Sequence, residues 1–299
     1  MSADIAVTAA TPAAPPRRAL YWSIRRELWE NRSLYLAPLG VAGVVLFSMF
    51  VSTVGLARRR AATLLLPFDQ QRIAIAKHYD MAAVVIMFTV LIVGIFYCLD
   101  ALYGERRDRS ILFWKSLPVS DFTTVLAKLC IPLVVLPAFA FMLIVTVQMA
   151  ILMQSNAVLL AHHMPPTTYA QYPFFEEALI LLYGLVALAL WHAPIYGWLL
   201  VVSGWAKRAT FLWAFLPLAV LCVAERITLG TTYFGKWLQY RLMGHATVAF
   251  NMKPHAVVNS ISQLTPLRYL ATGGLWAGLI FTAICLGTTV WLRRYREPI

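Results

Sequence analysis

The stretch GTTYFGK, from Gly230 to Lys236, is the part of this sequence that comes nearest to a nucleotide-binding motif. A phosphate loop has the pattern G-x-x-x-x-G-K followed by Ser or Thr, because its backbone N–H groups bind the phosphates and the hydroxyl group binds magnesium. Here Trp237 follows the lysine, and an indole ring does not bind magnesium. We therefore predict that the chain has no nucleotide site of its own.

Histidine, glutamate and cysteine side chains could bind a metal ion or act as nucleophiles. His162 and His163 precede Glu176 and Glu177, but neither HExxH nor His-x-x-x-His spacing occurs. The four cysteines lie in apolar runs without a C-x-x-C pair, so we expect neither a zinc site nor a disulfide. Since the sequence also has no G-x-S-x-G motif, we predict a chain that is not an enzyme and that holds no metal.

Two polar residues, Gln148 and His192, stand in the middle of long apolar runs. A polar side chain within a membrane is costly and is by default a hypothesis of function. We predict that both residues line a substrate path. The alternative is that each one simply donates a hydrogen bond to a neighbouring helix.

The elements that carry these residues are predicted to be transmembrane helices. Hydrophobic residues make up 61% of the 299-residue chain, charged residues only 13%, and the mean hydropathy is +0.71. Such a composition excludes a soluble protein, and about 20 apolar residues suffice for one helical span. The six predicted spans are residues 34–57, 81–103, 129–153, 178–203, 209–224 and 270–292. We therefore predict an all-α, polytopic membrane protein.

The segments outside the spans complete the predicted organisation. Residues 1–17 are small and Pro-rich and are predicted to form a disordered tail, while residues 18–296 form a single transmembrane domain. Residues 18–35 have apolar side chains at helical spacing, which predicts an amphipathic helix at the membrane interface. Residues 225–269 are only partly polar and are predicted to form short helices on the outer face before the last span.

The distribution of positive charge predicts the orientation. If the N-terminus is cytoplasmic, 15 of the 25 Lys and Arg residues lie on the cytoplasmic side, which the positive-inside rule favours. Arg58, Arg59 and Arg60 then fall just outside the first span, against this rule. We predict both termini in the cytoplasm, and the net charge of +12 is attributed to membrane anchoring and not to nucleic-acid binding.

One charged stretch, GERRDRSILFWKSLPVSD from residue 104 to residue 121, interrupts the apolar sequence. Apolar side chains at Ile111, Leu112, Trp114 and Leu117 predict a short amphipathic helix, and Pro118 ends it. An aromatic side chain with charged residues around it is typical of a docking surface. The alternative is an interfacial helix whose Trp114 lies among lipid head groups.

The pattern E-R-x-x-x-[ST]-[IL]-L, followed by W/L-x-x-L-P-V-S and a later lysine, resembles the cytoplasmic loop of ABC-transporter permeases of the second exporter type. The matching residues are Glu105, Arg106, Ser110, Ile111, Leu112, Leu117, Pro118, Val119, Ser120 and Lys128. Where that family often has Gly-Thr, this chain has Arg109 and Ser110. In the family this loop forms a coupling helix that inserts into a groove of the ATP-binding subunit.

The resemblance implies that the chain is the permease subunit of an ATP-driven exporter in the inner, cytoplasmic membrane, with an unidentified substrate. Its implied partners are a cytoplasmic ATPase, which would bind ATP and magnesium, and a second identical or sister permease chain. The implied coupling interface consists of Glu105, Arg106, Arg107, Asp108, Arg109, Ser110, Ile111, Leu112, Trp114, Lys115, Leu117 and Pro118. Two alternatives remain: an ion-gradient-driven secondary transporter and a non-transporting membrane anchor or sensor subunit.

Overall fold

The computed structural model describes residues 16–115, 119–250 and 260–296, and every regular element within these ranges is helical. The α-helices are α1 (Pro16–Glu30), α2 (Ser33–Ser52), α3 (Leu56–Leu64), α4 (Phe68–Asp100), α5 (Tyr103–Arg107), α6 (Ser110–Lys115), α7 (Asp121–Cys130), α8 (Leu136–Ala161), α9 (Phe174–Trp205), α10 (Thr210–Thr228), α11 (Tyr233–Met243), α12 (His245–Ala249), α13 (Pro266–Leu270) and α14 (Gly273–Tyr295). The predicted all-α class is confirmed.

Six helical stretches of the described chain are long and apolar enough to cross a membrane, as the sequence predicts. They are Ser33–Ser52, Phe68–Arg107, Asp121–Ala161, Phe174–Trp205, Thr210–Thr228 and Gly273–Tyr295. Their number and order agree with a multi-pass membrane protein.

The ends of these helices differ from the predicted spans, most of all around the second one. Helix α4 begins at Phe68 and not near residue 81, because charged residues such as Lys77 and Asp80 continue the helix beyond its apolar part. The preceding segment is also not an irregular loop: Arg58, Arg59 and Arg60 lie on α3. A count of uncharged residues therefore locates the part of each helix that suits lipid but not the ends of the helix.

The third span contains a π-helical turn at Ile131–Val135, which separates α7 from α8. Pro132 lies in this turn and Pro137 follows it. Proline has no N–H group to bond to the carbonyl four residues earlier, and a wider turn accommodates this loss. The two prolines thus coincide with a local change of helix type.

Helix α9 lies at the centre of the bundle, and half of its 32 residues are buried, most of them after residue 184. It approaches α14 closely through small residues. A Cβ atom added at Gly197 would lie 3.1 Å from the Cβ atom of Cys285, and one added at Gly204 would lie 3.5 Å from Leu292. Small residues of this kind let transmembrane helices pack at short range. The main apolar core is formed by α4, α8 and α9, with α2 packed against α4 and α8 and with α7 packed against α9.

Helix α10 is the least buried of the six spans, and Ala214 is its only buried residue among those described. It runs to Thr228, so the charged residue Glu225 lies within the helix and does not end it. The carboxylate of Glu225 accepts hydrogen bonds from the backbone N–H groups of Tyr233 at 2.6 Å and Phe234 at 2.9 Å. These amides belong to the stretch that resembles a phosphate loop, and here a carboxylate of the same chain binds them at the start of α11.

Candidate functional site

The charged stretch after the second span forms two short helices, α5 and α6, and its position is fixed by the end of α9. The backbone N–H groups of Leu102 and Tyr103 both donate to Oγ of Ser203 at 3.0 Å. Arg106 donates from Nη2 to the carbonyl oxygen of Ser203 at 3.1 Å and to that of Ala206. The loop is therefore bonded to the body of the bundle and does not project freely from it.

The structure divides the predicted interface residues into a buried set and an exposed set. Buried are Glu105, Arg106 and Ile111, whereas Arg107, Asp108 and Arg109 are exposed. Leu117 and Pro118 lie outside the described residues, as do the side chains of Leu112 and Lys115. Whether any of these residues contacts another protein stays a prediction.

The two aromatic residues of α6 have different surroundings. Phe113 has 60% of its surface exposed. Trp114, which the sequence predicts as the anchor, is partly buried, and the guanidinium of Arg26 lies 4.1 Å from the centre of its ring. This cation–π contact attaches α6 to α1. The more accessible aromatic side chain of the loop is therefore Phe113.

Beneath the loop, six acidic and basic side chains form what we call the charge cluster: Arg26, Glu27, Glu105, Asp121, Lys128 and Arg293. They come from α1, α5, α7 and α14, which are far apart in the sequence. Three are acidic and three are basic, so these six charges balance, and a further carboxylate, that of Glu30, lies 3.8 Å from Arg26 at the edge of the cluster. Glu27, Lys128, Glu105 and Arg293 are almost fully buried.

Lys128 and Glu105 connect the members of the charge cluster. The ammonium of Lys128 lies 2.8 Å from Oε1 of Glu27 and 3.0 Å from Oε1 of Glu105. The other carboxylate oxygen of Glu105 accepts a bond from Arg293 at 2.6 Å. Since Arg293 also donates to Asp121 at 2.9 Å, a single network joins the loop to α1, α7 and α14.

Glu27 is held ionised by its neighbours. Burial alone would raise the pKa of this carboxyl group, but the charge and hydrogen bond of Lys128, together with those of Arg26, lower it. Its second oxygen accepts a hydrogen bond from the hydroxyl group of Tyr97 at 2.9 Å. Burial likewise acts to lower the pKa of Arg26, and the hydrogen bond and charge of Glu27 outweigh it, so that this pKa is raised.

The two residues predicted to line a substrate path lie elsewhere in the bundle. Gln148 is buried, and its amide nitrogen lies 3.5 Å from the carbonyl oxygen of Tyr79. His192 is buried as well, with Nδ1 2.9 Å from the carbonyl oxygen of Leu188 and its ring centre 5.7 Å from that of His245. The structure does not bring Gln148 and His192 together with the charge cluster, and their role in transport stays a prediction.

Among the described residues, no group of three or more His, Cys, Asp and Glu side chains is arranged to hold a metal ion. The charge cluster links the loop through ion pairs to α1, α7 and α14. The chain matches no protein-family model, no curated protein and no solved structure.

Proposed function

We propose that this chain is the membrane-spanning permease subunit of an ATP-driven exporter of the second ABC type, and that a separate cytoplasmic ATPase docks on the α5–α6 loop. The observation that carries the proposal is the two-sided construction of this loop. Its exposed side presents Arg107, Asp108, Arg109 and Phe113, while its buried side is bonded to the charge cluster. A coupling element needs an exposed surface that the partner protein can bind and rigid contacts to the transmembrane helices.

The charge cluster supplies a route for this coupling. A displacement of Glu105 acts directly on Lys128 of α7 and Arg293 of α14. Through Arg26 it also acts on α1, which in turn contacts Trp114 of the loop. ATP binding by the partner would thus move these helices together as a two-state rearrangement, and substrate would cross near the interface of two permease chains.

The backbone at Arg109 supports the resemblance on which the proposal rests. Arg109 has φ = 56°, in the left-handed region that glycine adopts most readily. This is the position at which the exporter family often has glycine. The loop of this chain therefore has the backbone conformation that the family's residue favours, although the side chain here is arginine.

The surfaces of α1 and α11 agree with contact to a membrane interface. In α1 the aromatic residues Trp22 and Trp29 are exposed, and the guanidinium of Arg25 lies 5.1 Å and 4.5 Å from their ring centres. In α11 Tyr233 and Trp237 are exposed. Exposed aromatic and cationic side chains in combination are typical of helices that lie among head groups. We propose that α1 lies on the cytoplasmic surface and α11 to α13 on the outer one.

The proposal is tested by purifying the tagged full chain from its native membrane in mild detergent, identifying co-purified proteins by mass spectrometry and assaying ATP hydrolysis. We expect a soluble ATPase, and we expect Phe113→Ala to weaken its binding at least about tenfold. Phe88→Ala is the matched control, because Phe88 is 62% exposed but lies in the apolar part of α4. Phe113 is a better probe than Trp114, whose removal would also break the contact with Arg26.

If no ATPase accompanies the chain in several detergents, the proposal fails. Transport in liposomes that depends on an ion gradient would then support a secondary transporter. Asp80 and Glu177 would be its first carboxylates to test, since both lie on span-forming helices, and Glu177 lines a cavity of about 190 Å³ with Arg72. An ATPase that binds Phe113→Ala as well as the wild type would instead show that the docking surface lies elsewhere.

A further inference from the structure

A cavity of about 90 Å³ lies between α2, α3, α4 and α8. It is near the N-terminal end of α4, where Ala74, Ile75 and Tyr79 line it, whereas the loop and the charge cluster are at the opposite end of that helix. Arg59 and His78 line the cavity and are exposed to the exterior, so it is accessible from outside. Nothing in the proposed coupling mechanism uses this site.

The cavity contains a buried cation that no carboxylate neutralises within the described chain. Arg60 has only 5% of its surface exposed, and its Nη2 donates to Oε1 of Gln171 at 2.6 Å. No Asp or Glu in the described ranges forms an ion pair with Arg59 or Arg60. The buried cations Lys128 and Arg293 each pair with two carboxylates, whereas Arg106 and Arg241 resemble Arg60 in having no carboxylate partner in the described chain. Of these three arginines, only Arg60 lines the cavity.

Two buried donor groups of the lining also lack an acceptor. They are Nε of Arg60 and the amide nitrogen of Gln154. Burial lowers the pKa of Arg60, against a smaller opposing effect of Tyr79, because no anion compensates the lost hydration. Buried donors are normally paired, and an unpaired one at a cavity points to a missing acceptor.

We propose that this cavity binds a phosphate group, with Nε of Arg60 and the amide of Gln154 as its donors. A phosphate oxygen accepts hydrogen bonds strongly and supplies the negative charge that the guanidinium lacks. The rest of the lining includes the apolar residues Met49, Leu56 and Ile151, which suit the glycerol and acyl part of a phospholipid. Helix α3 directly follows the span-forming α2, where phosphate head groups are available.

The test measures thermal unfolding of the delipidated full chain in dodecyl maltoside. Dihexanoyl phosphatidylglycerol should raise the unfolding midpoint in a saturable manner, whereas dihexanoylglycerol, which has no phosphate, should not. Sodium phosphate distinguishes the source: a matching shift assigns the site to free phosphate, and a shift with the lipid alone assigns it to a phospholipid. If neither phosphate compound shifts the midpoint, the proposal is wrong.

Variants locate the site. Arg60→Gln should weaken binding of the active phosphate compound about tenfold or more. Arg58→Gln should leave it unchanged, because Arg58 is exposed on the same helix and does not line the cavity. Gln154→Glu places a carboxylate in the cavity that Arg60 also lines, so it should raise the midpoint without ligand and abolish the ligand-induced shift. Wild-type affinity in Arg60→Gln, or a wild-type shift in Gln154→Glu, would overturn the proposal.

Discussion

The charge cluster predicts that Lys128→Met strongly destabilises the protein. Lys128 has 1% of its surface exposed, and its ammonium lies between the carboxylates of Glu27 and Glu105 at 2.8 and 3.0 Å. Methionine matches the length of the side chain but leaves the two carboxylates without the cation that they share. Loss of one partner from a buried ion pair costs about 3–5 kcal/mol. Because Glu27 keeps Arg26 and Glu105 keeps Arg293, we expect the lower end, about 3 kcal/mol.

The free energy of unfolding is measured by denaturant titration in mixed micelles, with tryptophan fluorescence as the signal. Lys77→Met is the control: Lys77 is exposed on α4, and its replacement should change the free energy by less than about 0.5 kcal/mol. The double variant Glu27→Gln, Lys128→Met lacks one of the two carboxylates that Lys128→Met leaves without their shared cation. Its loss in free energy of unfolding should therefore be smaller than the sum of the losses in the two single variants, by about 1 kcal/mol or more. Equal stability of Lys128→Met and Lys77→Met would refute the reasoning.

Two further predictions concern the loop and the acid sensitivity of the cluster. Arg109→Gly should stabilise the protein by about 1 kcal/mol, since it relieves a left-handed backbone conformation. Arg107→Gly should instead destabilise it, by less than about 1 kcal/mol, since Arg107 is the last residue of α5. The same denaturant titration measures both changes. The folded state lowers the pKa of Glu27 from its ordinary value of 4.5, so the contribution of Glu27 to stability is complete above pH 4.5 and is lost as the pH falls through the lower, folded pKa. Unfolding titrations between pH 6 and about 3 should therefore show a smaller acid-dependent loss in Glu27→Gln than in the wild type; equal losses would contradict this explanation.

The sequence was sufficient to predict the six span-forming helices because each one contains a long run of uncharged, apolar residues, and lipid requires such a run. It was not sufficient for the helix ends. Residues such as Asp80 interrupt the apolar pattern without interrupting the helix, and Pro194 lies within α9 without ending it. Membrane helices extend beyond the hydrocarbon region, where charges cost little.

The charge cluster could be predicted only in part. Glu105 and Lys128 belong to the motif that resembles the exporter family, but their pairing with Glu27 and Arg293 depends on contacts between distant helices. A local rule pairs Arg26 with Glu30 four residues later, and these groups do lie 3.8 Å apart, yet the shorter contact of Arg26 is to Glu27 at 2.7 Å. One signal was present in the sequence: Lys128 is an isolated charge next to an apolar run, and such a residue usually has a buried partner.

The π turn in the third span has a consequence for how the charge cluster relates to the membrane interior. The buried residues Lys128, Pro132, Leu136, Ala140 and Ile144 follow one another at intervals of four. In an α-helix of 3.6 residues per turn, each such interval overshoots a full rotation by about 40°, and the stripe would wind away from the core. A π turn uses more residues per rotation and so takes up part of this drift. One continuous buried stripe therefore runs from the ion-paired lysine into the apolar centre of the bundle. A rotation of α7 about its axis would displace the buried side chains along that stripe.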